Sequence, residues 1–441
     1  MEENKVNDYS SSSGYQWYCT PVGIRTSEIS KAKHKDGVKR FVGVDLSKQN
    51  CWACIMDLQG KVILHEKFSL RSAKRDKLYE MLQPGDLVLM EASTGTFNIA
   101  RAMNRKSGVV ACVINPHTTH INETKKKTDR EDSLFLARLI LRTPIAELQL
   151  VSIPSDREMA NRDVVSHYRK LDDVHKQMVN RLHALFFDKG FPEAGKMNNL
   201  HSKLGRAAAI ESCFGTDRAY AFPKRIAKDL SKELSLLEEL QESGEKQFAR
   251  IVKQDDRTAT LLGSIPGVGL KTIATFIAFV GDVDRFCNAK QLAAYCGLVP
   301  RVYQSGQKDA ARKITKEGQA ALREYLIESV FAMTKTQFDF PLKRKFNELR
   351  LRMGGRKAAV AIARKMVVMM YSMLKNGTLF TVEDEQERQE VAAYHARKHL
   401  PILGRYNQIR QSCKGFEEMI EITNSMTINE LGVFKFLNQG A

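Results

Sequence analysis

The chain has 441 residues, enough for two or three domains with sizeable cores. Its 69 Lys and Arg outnumber 51 Asp and Glu, and the resulting formal charge of +18 is spread along the whole length, which favours a polyanionic partner, nucleic acid before membrane. No apolar run would span a bilayer, the first residues lack a signal-peptide core and the eight cysteines are scattered, so secreted and membrane-embedded classes are set aside and a cytoplasmic protein is expected.

Residues 1–38 combine mixed charge with "SSSSGYQWY" and no periodicity, and read as a flexible extension. From Arg40 the texture changes. "RFVGVDLS" reads as a buried strand ending in a carboxylate, and "CWACIMDLQG" and "KVILHEKFSL" read as a hairpin turning at Gln59-Gly60. A helix over "SAKRDKLYEML" leads through Pro84-Gly85 into the strand "DLVLMEAS"; a helix from about Thr96, the strand "GVVACVINP" and a last helix follow. The order β-β-β-α-β-α-β-α over 39–150 predicts an α/β domain whose first three strands are antiparallel. Cys51 and Cys54 form a lone CxxC inside a strand, with no second pair, and read as ordinary strand residues.

Residues 151–255 turn helical. Tyr168, Leu171, Val174, Met178, Leu182 and Leu185 recur in steps of three and four, as do Leu230, Leu234, Leu237, Gly244, Phe248 and Ile251, with Gln241 polar in the stripe. Two long helices joined by a looser "GFPEAGKMNN" predict a helical hairpin or coiled-coil arm for assembly. Residues 256–379 read as a compact, mainly helical region, and 380–441 as a charged, helix-prone extension without assignable chemistry. His395 and His399 share a helical face there but have no evident third ligand.

Four acids stand out. Asp45 and Glu91 each end a strand, in "VGVDLSK" and "LVLMEAS". Thr128 and Glu131 form a T-x-x-E capping box that starts a helix just before Asp129, which puts Asp129 and Asp132 on one side at i and i+3. Taken singly, each acid is more often a solvated surface residue, and the helix pair alone is explained by a helix N-terminus favouring negative charge. Taken together they can converge, and four clustered carboxylates repel unless a cation neutralises them. Mg²⁺ suits such oxygen ligands, and two ions can steady the attacking and leaving oxygens of a phosphodiester. That arrangement is how a ribonuclease-H-like nuclease core is built. Lys125, Lys126 and Lys127 lead into it as phosphate contacts.

These motifs carry a resemblance. "VGVDLSK", "MEAST", "INPH" and "KKTDREDSLFLARLI" resemble the DEDD domain of the insertion-sequence 110 transposases, which is similar to the RuvC Holliday-junction resolvase. "SIPGVGLKTIATFIAFVGD", "KQLAAYCGLVPR", "QSGQK" and "ITKEG" resemble that family's C-terminal transposase domain, so that roughly 40–378 is covered in the right order. Both terminal extensions fall outside the pattern. The resemblance implies an RNase H-like (RuvC-like) domain, a helical coiled-coil arm and a mainly helical transposase domain, in a bacterial or archaeal cell. It also implies a Mg²⁺ site at Asp45, Glu91, Asp129 and Asp132, and Ser305 as the nucleophile that links protein covalently to DNA. Donor and target DNA, a bridge RNA that pairs with both, and a dimer assembling to a tetramer are the implied partners.

On the residues alone, Ser305-Gly306 after Pro300 is most simply a turn, with no His nearby to form a triad. "IPGVG" resembles the hairpin of a helix-hairpin-helix element, where Gly267 and Gly269 would let backbone amides approach a phosphate beside Lys271; a plain turn explains it equally well. Arg301, Lys308, Arg312, Lys313, Lys316, Arg356 and Lys357 are candidate phosphate contacts. "GGRKAA" lacks the Walker A spacing, so no ATP use is implied. Three rival functions stand: a resolvase-like nuclease using water, with Ser305 dispensable; a site-specific DNA invertase of like chemistry; and a non-catalytic nucleic-acid scaffold in which the four acids are coincidental.

Overall fold

In a computed structural model the described residues are 37–71, 74–116, 128–194, 200–299, 314, 318–380 and scattered positions between 382 and 390. Those up to Asp156, with Asp284–Gln291, form one compact unit; Arg157–Val283 and those from Leu292 onward form another.

The first unit is built on six strands: β1 (Arg40–Leu46), β2 (Asn50–Met56), β3 (Val62–Ser69), β4 (Asp86–Glu91), β5 (Val110–Ile114) and β6 (Leu150–Val151). Their order is β3-β2-β1-β4-β5-β6. The first three are mutually antiparallel, β1, β4 and β5 run parallel, and β6 returns antiparallel to β5. The sequence reading anticipates five of these strands; β6 is two residues long and has no period to read. The helix expected over 72–82 is regular at Asp76–Glu80 (α1) among the described residues. Helix α2 (Thr96–Asn104) follows β4 and α3 (Asp129–Arg142) follows β5.

Alternation along the strands sorts the side chains into two cores. Val42, Val44, Val88, Met90, Ala111 and Val113 meet Leu78 of α1 and Ile99, Ala100 and Met103 of α2. On the opposite face Phe41, Leu87, Leu89, Cys112 and Ile114 meet Leu136, Ala137 and Ile140 of α3. Cys51 belongs to the first core and Cys54 to the second, so the CxxC pair lies on two sides of the sheet. Register between β1 and β4 is pinned at its start, where the Arg40 guanidinium donates to both oxygens of buried Asp86 at 2.7 and 2.6 Å.

The second unit is helical. Its long helices are α4 (Asp156–Asp188, from its second residue) and α6 (Ala221–Val252), with α5 (Lys203–Phe214) between them in sequence. The expected stripes do face each other: Tyr168 packs edge-on against Phe248 at 4.7 Å, in the space left by Gly244. Gln241, the polar interruption, donates to Asp172 at 2.6 Å. Helix α5 was not read from the sequence because "KLGRAAAIESCF" has alanines where a stripe would show large apolar residues. It nevertheless closes a shared core with Val179, Leu182, Phe186, Leu230 and Leu234.

Arg206 of α5 is fully buried in that core, a costly place for a charge. Its guanidinium donates to Glu238 at 2.6 and 3.0 Å, and to Ser231, Ser235 and the Leu200 carbonyl. Arg206→Ala removes the two-pronged partner of Glu238, leaving it only His175 at 3.6 Å among the described residues, and opens a cavity in the core. It is expected to destabilise the second unit by about 3–5 kcal/mol, measurable by urea unfolding. An unchanged midpoint would refute the packing described.

Beyond α6 come α7 (Asp256–Gly263), α8 (Leu270–Phe279), α9 (Ala289–Tyr295), α10 (Ala320–Thr334), α11 (Pro341–Met353) and α12 (Gly355–Asn376). No helix among the described residues is long and apolar enough to cross a membrane.

Candidate active site

Gly43 and Leu89 sit on the α3 side of the sheet, so Asp45 and Glu91, each two positions further on, emerge on that side as well. The parallel register pairs Val44 with Met90, which makes Asp45 and Glu91 the next positions along adjacent strands. Both are half-buried.

Helix α3 brings the other two. Thr128 caps it, its hydroxyl accepting from the Glu131 amide at 3.3 Å, as the T-x-x-E pattern predicts. Asp129, exposed, and Asp132, only 8% exposed, occupy its first turn. The helix lies directly on β1 at Gly43: a methyl group there would run into the Ser133 carbonyl oxygen and the Ala137 amide. This glycine, which the sequence reading passed over, is what lets the first turn of α3 approach the strand ends.

The electrostatics register the convergence. Burial, and then the charges of Asp129, Asp132 and Glu91, push the Asp45 carboxyl up from 3.8 to about 6. Among the described residues no three His, Cys, Asp or Glu side chains stand close enough to hold a metal ion as placed. The four acids are therefore an open cluster coupled by charge rather than a closed coordination shell. Its chemistry still suits a hard divalent cation: the donors are all oxygen, and the central one resists ionising without a positive neighbour.

Two further groups brace the cluster and carry no sequence motif. Thr96, fully buried, donates to the Glu91 carbonyl at 2.9 Å and accepts from the Ser93 amide at 3.1 Å, which ties the turn after β4 to the start of α2. His65 of β3 reaches the first turn of α3.

The glycine hairpin joins α7 to α8. Gly267 is left-handed at φ 88°, and a Cβ there would meet the backbone of α10 at Ser329 and Met333, so packing as well as torsion demands glycine. Gly269 precedes α8 with open space where a side chain would stand. The Lys271 ammonium is engaged within the protein, 3.3 Å from Glu245 and 4.7 Å from the Tyr168 ring centroid. Arg356 and Lys357 are exposed at the start of α12, close in sequence to exposed Arg350 and Arg352 of α11. Lys125, Lys126, Lys127, Arg301, Ser305, Lys308, Arg312, Lys313 and Lys316 lie outside the described residues.

Comparison with known proteins identifies both halves. Residues 259–347 match the family described as "Transposase IS116/IS110/IS902 family", and residues 42–192 match the IS110-type DEDD transposase domain, described as "Transposase". Together these cover more than half of the chain. The transposase for insertion sequence element IS1111A of Coxiella burnetii is 27% identical over 355 residues, spanning 79% of this chain and 93% of that one. The transposase for insertion sequence element IS1328 of Yersinia enterocolitica is 23% identical over 351 residues, 77% of this chain and 98% of the relative. A pilin gene-inverting protein of Moraxella lacunata is 33% identical over 125 residues, 28% of this chain and 38% of the relative. With an acid-bearing domain first, a helical transposase domain after it and full-length relatives of the same kind, the chain belongs to the IS110/IS116/IS902 family of insertion-sequence transposases.

Proposed function

We propose that this transposase cuts and exchanges DNA strands at a Mg²⁺-supported site made by Asp45, Glu91, Asp129 and Asp132, with Ser305 as the nucleophile and a bridge RNA selecting target and donor. The observation that carries the reading is geometric: Asp45 and Glu91 follow the paired Val44 and Met90 on adjacent strands, on the face that α3 covers at Gly43, and Asp129 and Asp132 lie in the first turn of that helix. Burial first, and then the charges of the other three acids, raise the Asp45 carboxyl in keeping with it. The strand order supports an RNase H-like, RuvC-type domain: three antiparallel strands followed by two parallel ones. Bound there, Mg²⁺ would supply charge neutralisation and polarise the scissile phosphate.

The protein's own residues do the rest. Asp45 and Glu91 are held at rigid strand ends, and Asp129 and Asp132 by a capped helix. The Ser305 oxygen attacks phosphorus and forms an ester, while the bond from phosphorus to one DNA strand breaks. The proton lost by serine ends on the departing DNA oxygen, and the linkage is conserved for rejoining to another strand. Arg356 and Lys357, with Arg350 and Arg352, offer phosphate contacts, and the open backbone at Gly269 offers another in a helix-hairpin-helix role. Residues 151–255 act as the assembly arm of a dimer that pairs into a tetramer, because strands exchange only when two duplexes are held together.

The test is a trapping assay with Mg²⁺, donor and target DNA, and RNA transcribed from the element's flank, run on a denaturing gel. Wild type should give an RNA-dependent protein–DNA adduct, and Ser305→Ala and Asp129→Ala none. Cleavage that survives Ser305→Ala without an adduct would replace this reading with a resolvase-like nuclease using water. The pilin gene-inverting relative favours one variant, a DNA invertase of the same chemistry. It would act on two sites in a single DNA without needing a separate donor.

A further inference from the structure

The first turn of α3 is Asp-Arg-Glu-Asp and offers no apolar side chain to the core, whose packing against α3 begins at Leu134. Besides the close approach of α3 to β1 at Gly43, polar contacts therefore help set where that turn sits. On β3, His65 pairs with Cys54 across the hairpin, and its Nε2 lies 3.0 Å from the Arg130 carbonyl oxygen and 3.1 Å from Ser133 Oγ. Ser133 Oγ itself donates to the Arg130 carbonyl at 2.8 Å. Both atoms facing the imidazole are then acceptors, so Nε2 carries the hydrogen and donates. Burial, the largest influence, lowers the histidine pKa and favours this neutral form.

The ring is braced in turn. Trp52 meets it edge-on at 5.5 Å, and the Arg130 guanidinium lies over the Trp52 ring at 5.7 Å. Trp52 is the register partner of Asp45. A chain of contacts thus runs from the strand residue opposite one acid to the helical turn that carries two others.

We propose that His65 is a positioning residue: by donating to the Arg130 carbonyl and the Ser133 hydroxyl it sets the distance between the helix carboxylates, Asp129 and Asp132, and the strand carboxylates, Asp45 and Glu91. This rests on the reading of those four acids as the cation-holding site. Groups that orient ligands without touching the metal commonly change its affinity by about 10- to 100-fold when removed.

The test measures Mn²⁺ binding to the full-length protein without nucleic acid, by titration calorimetry. His65→Gln keeps a donor and His65→Leu, of similar size, does not. The Gln variant should bind within about threefold of wild type and the Leu variant about tenfold more weakly. Equal affinity in the two overturns the proposal. Ser133→Ala removes one acceptor with little change of packing and should weaken binding about two- to threefold. If His65→Leu does not fold, Ser133→Ala decides, and wild-type affinity there overturns the proposal. Asp45→Asn separates the underlying reading from this one. Undiminished Mn²⁺ binding by that variant means the acids are not the site, whatever the His65 series shows. Loss of binding in Asp45→Asn with Gln and Leu alike at position 65 defeats the positioning role alone.

Discussion

Asp45→Asn is expected to abolish strand cleavage and yet raise the melting temperature in metal-free buffer at neutral pH. The Asp45 carboxyl is raised from 3.8 to about 6 by burial and by Asp129, Asp132 and Glu91. The folded protein therefore holds this proton more tightly than the unfolded chain does. Between about pH 4 and 6 the native state carries the extra proton, so stability falls as pH rises; above about 6 the full cost of the charged form stands. Linkage limits that cost to about 3 kcal/mol, and solvent screening of a half-buried group leaves roughly 1–2 kcal/mol. Asparagine keeps the shape and cannot ionise. Thermal melts in a chelator should therefore show wild type and variant together near pH 4, parting between about pH 4 and 6, and a few degrees apart above that. Curves that stay superimposed up to pH 8 would mean that neither burial nor the neighbouring acids burden the Asp45 carboxylate. Adding Mg²⁺ should stabilise the wild type more than the variant, since a cation has more charge to relieve there.

Gly43→Ala should be among the most damaging single-methyl changes in the first unit. A Cβ at this position would overlap the Ser133 carbonyl oxygen and the Ala137 amide and lie 3.0 Å from the Ala137 Cα. These are backbone atoms of α3, which cannot rotate aside as a side-chain tip can. The helix must move outward or the strand must bend, at about 2–3 kcal/mol or more. The same movement carries Asp129 and Asp132 away from Asp45, so strand transfer should fall further than stability alone explains. For stability, Gly269→Ala is the matched control, because it precedes its helix with φ −117° and has open space around the added methyl. Equal melting temperatures for Gly43→Ala and wild type would contradict the close approach of α3 to β1.

Much of the first domain is legible in the residues themselves. The buried runs of β1 and β4, the hairpin turn, and the Thr128 cap all depend on local signals within a few positions, and these are strong here. The i, i+3 spacing of Asp129 and Asp132 likewise determines that they share a turn. The stripes of α4 and α6 predict facing helices, and they do face each other. Less legible is α5, whose helix-forming alanines carry no stripe and whose one buried charge, Arg206, resembles any surface arginine until Glu238 is brought to it.

The sequence by itself determined five of the six strands, the capped helix, the four acids at the ends of their elements and the excess positive charge. Tertiary structure alone decided that Asp45, Glu91, Asp129 and Asp132 share one face of the sheet, and that Gly43 is the contact that allows it. It alone brought His65 of β3 to Arg130 and Ser133 of α3, more than sixty positions away in the chain. The reason is physical: strand and helix propensities act over a handful of residues, whereas strand pairing and helix packing create neighbours whose separation along the chain leaves no periodic trace in the sequence.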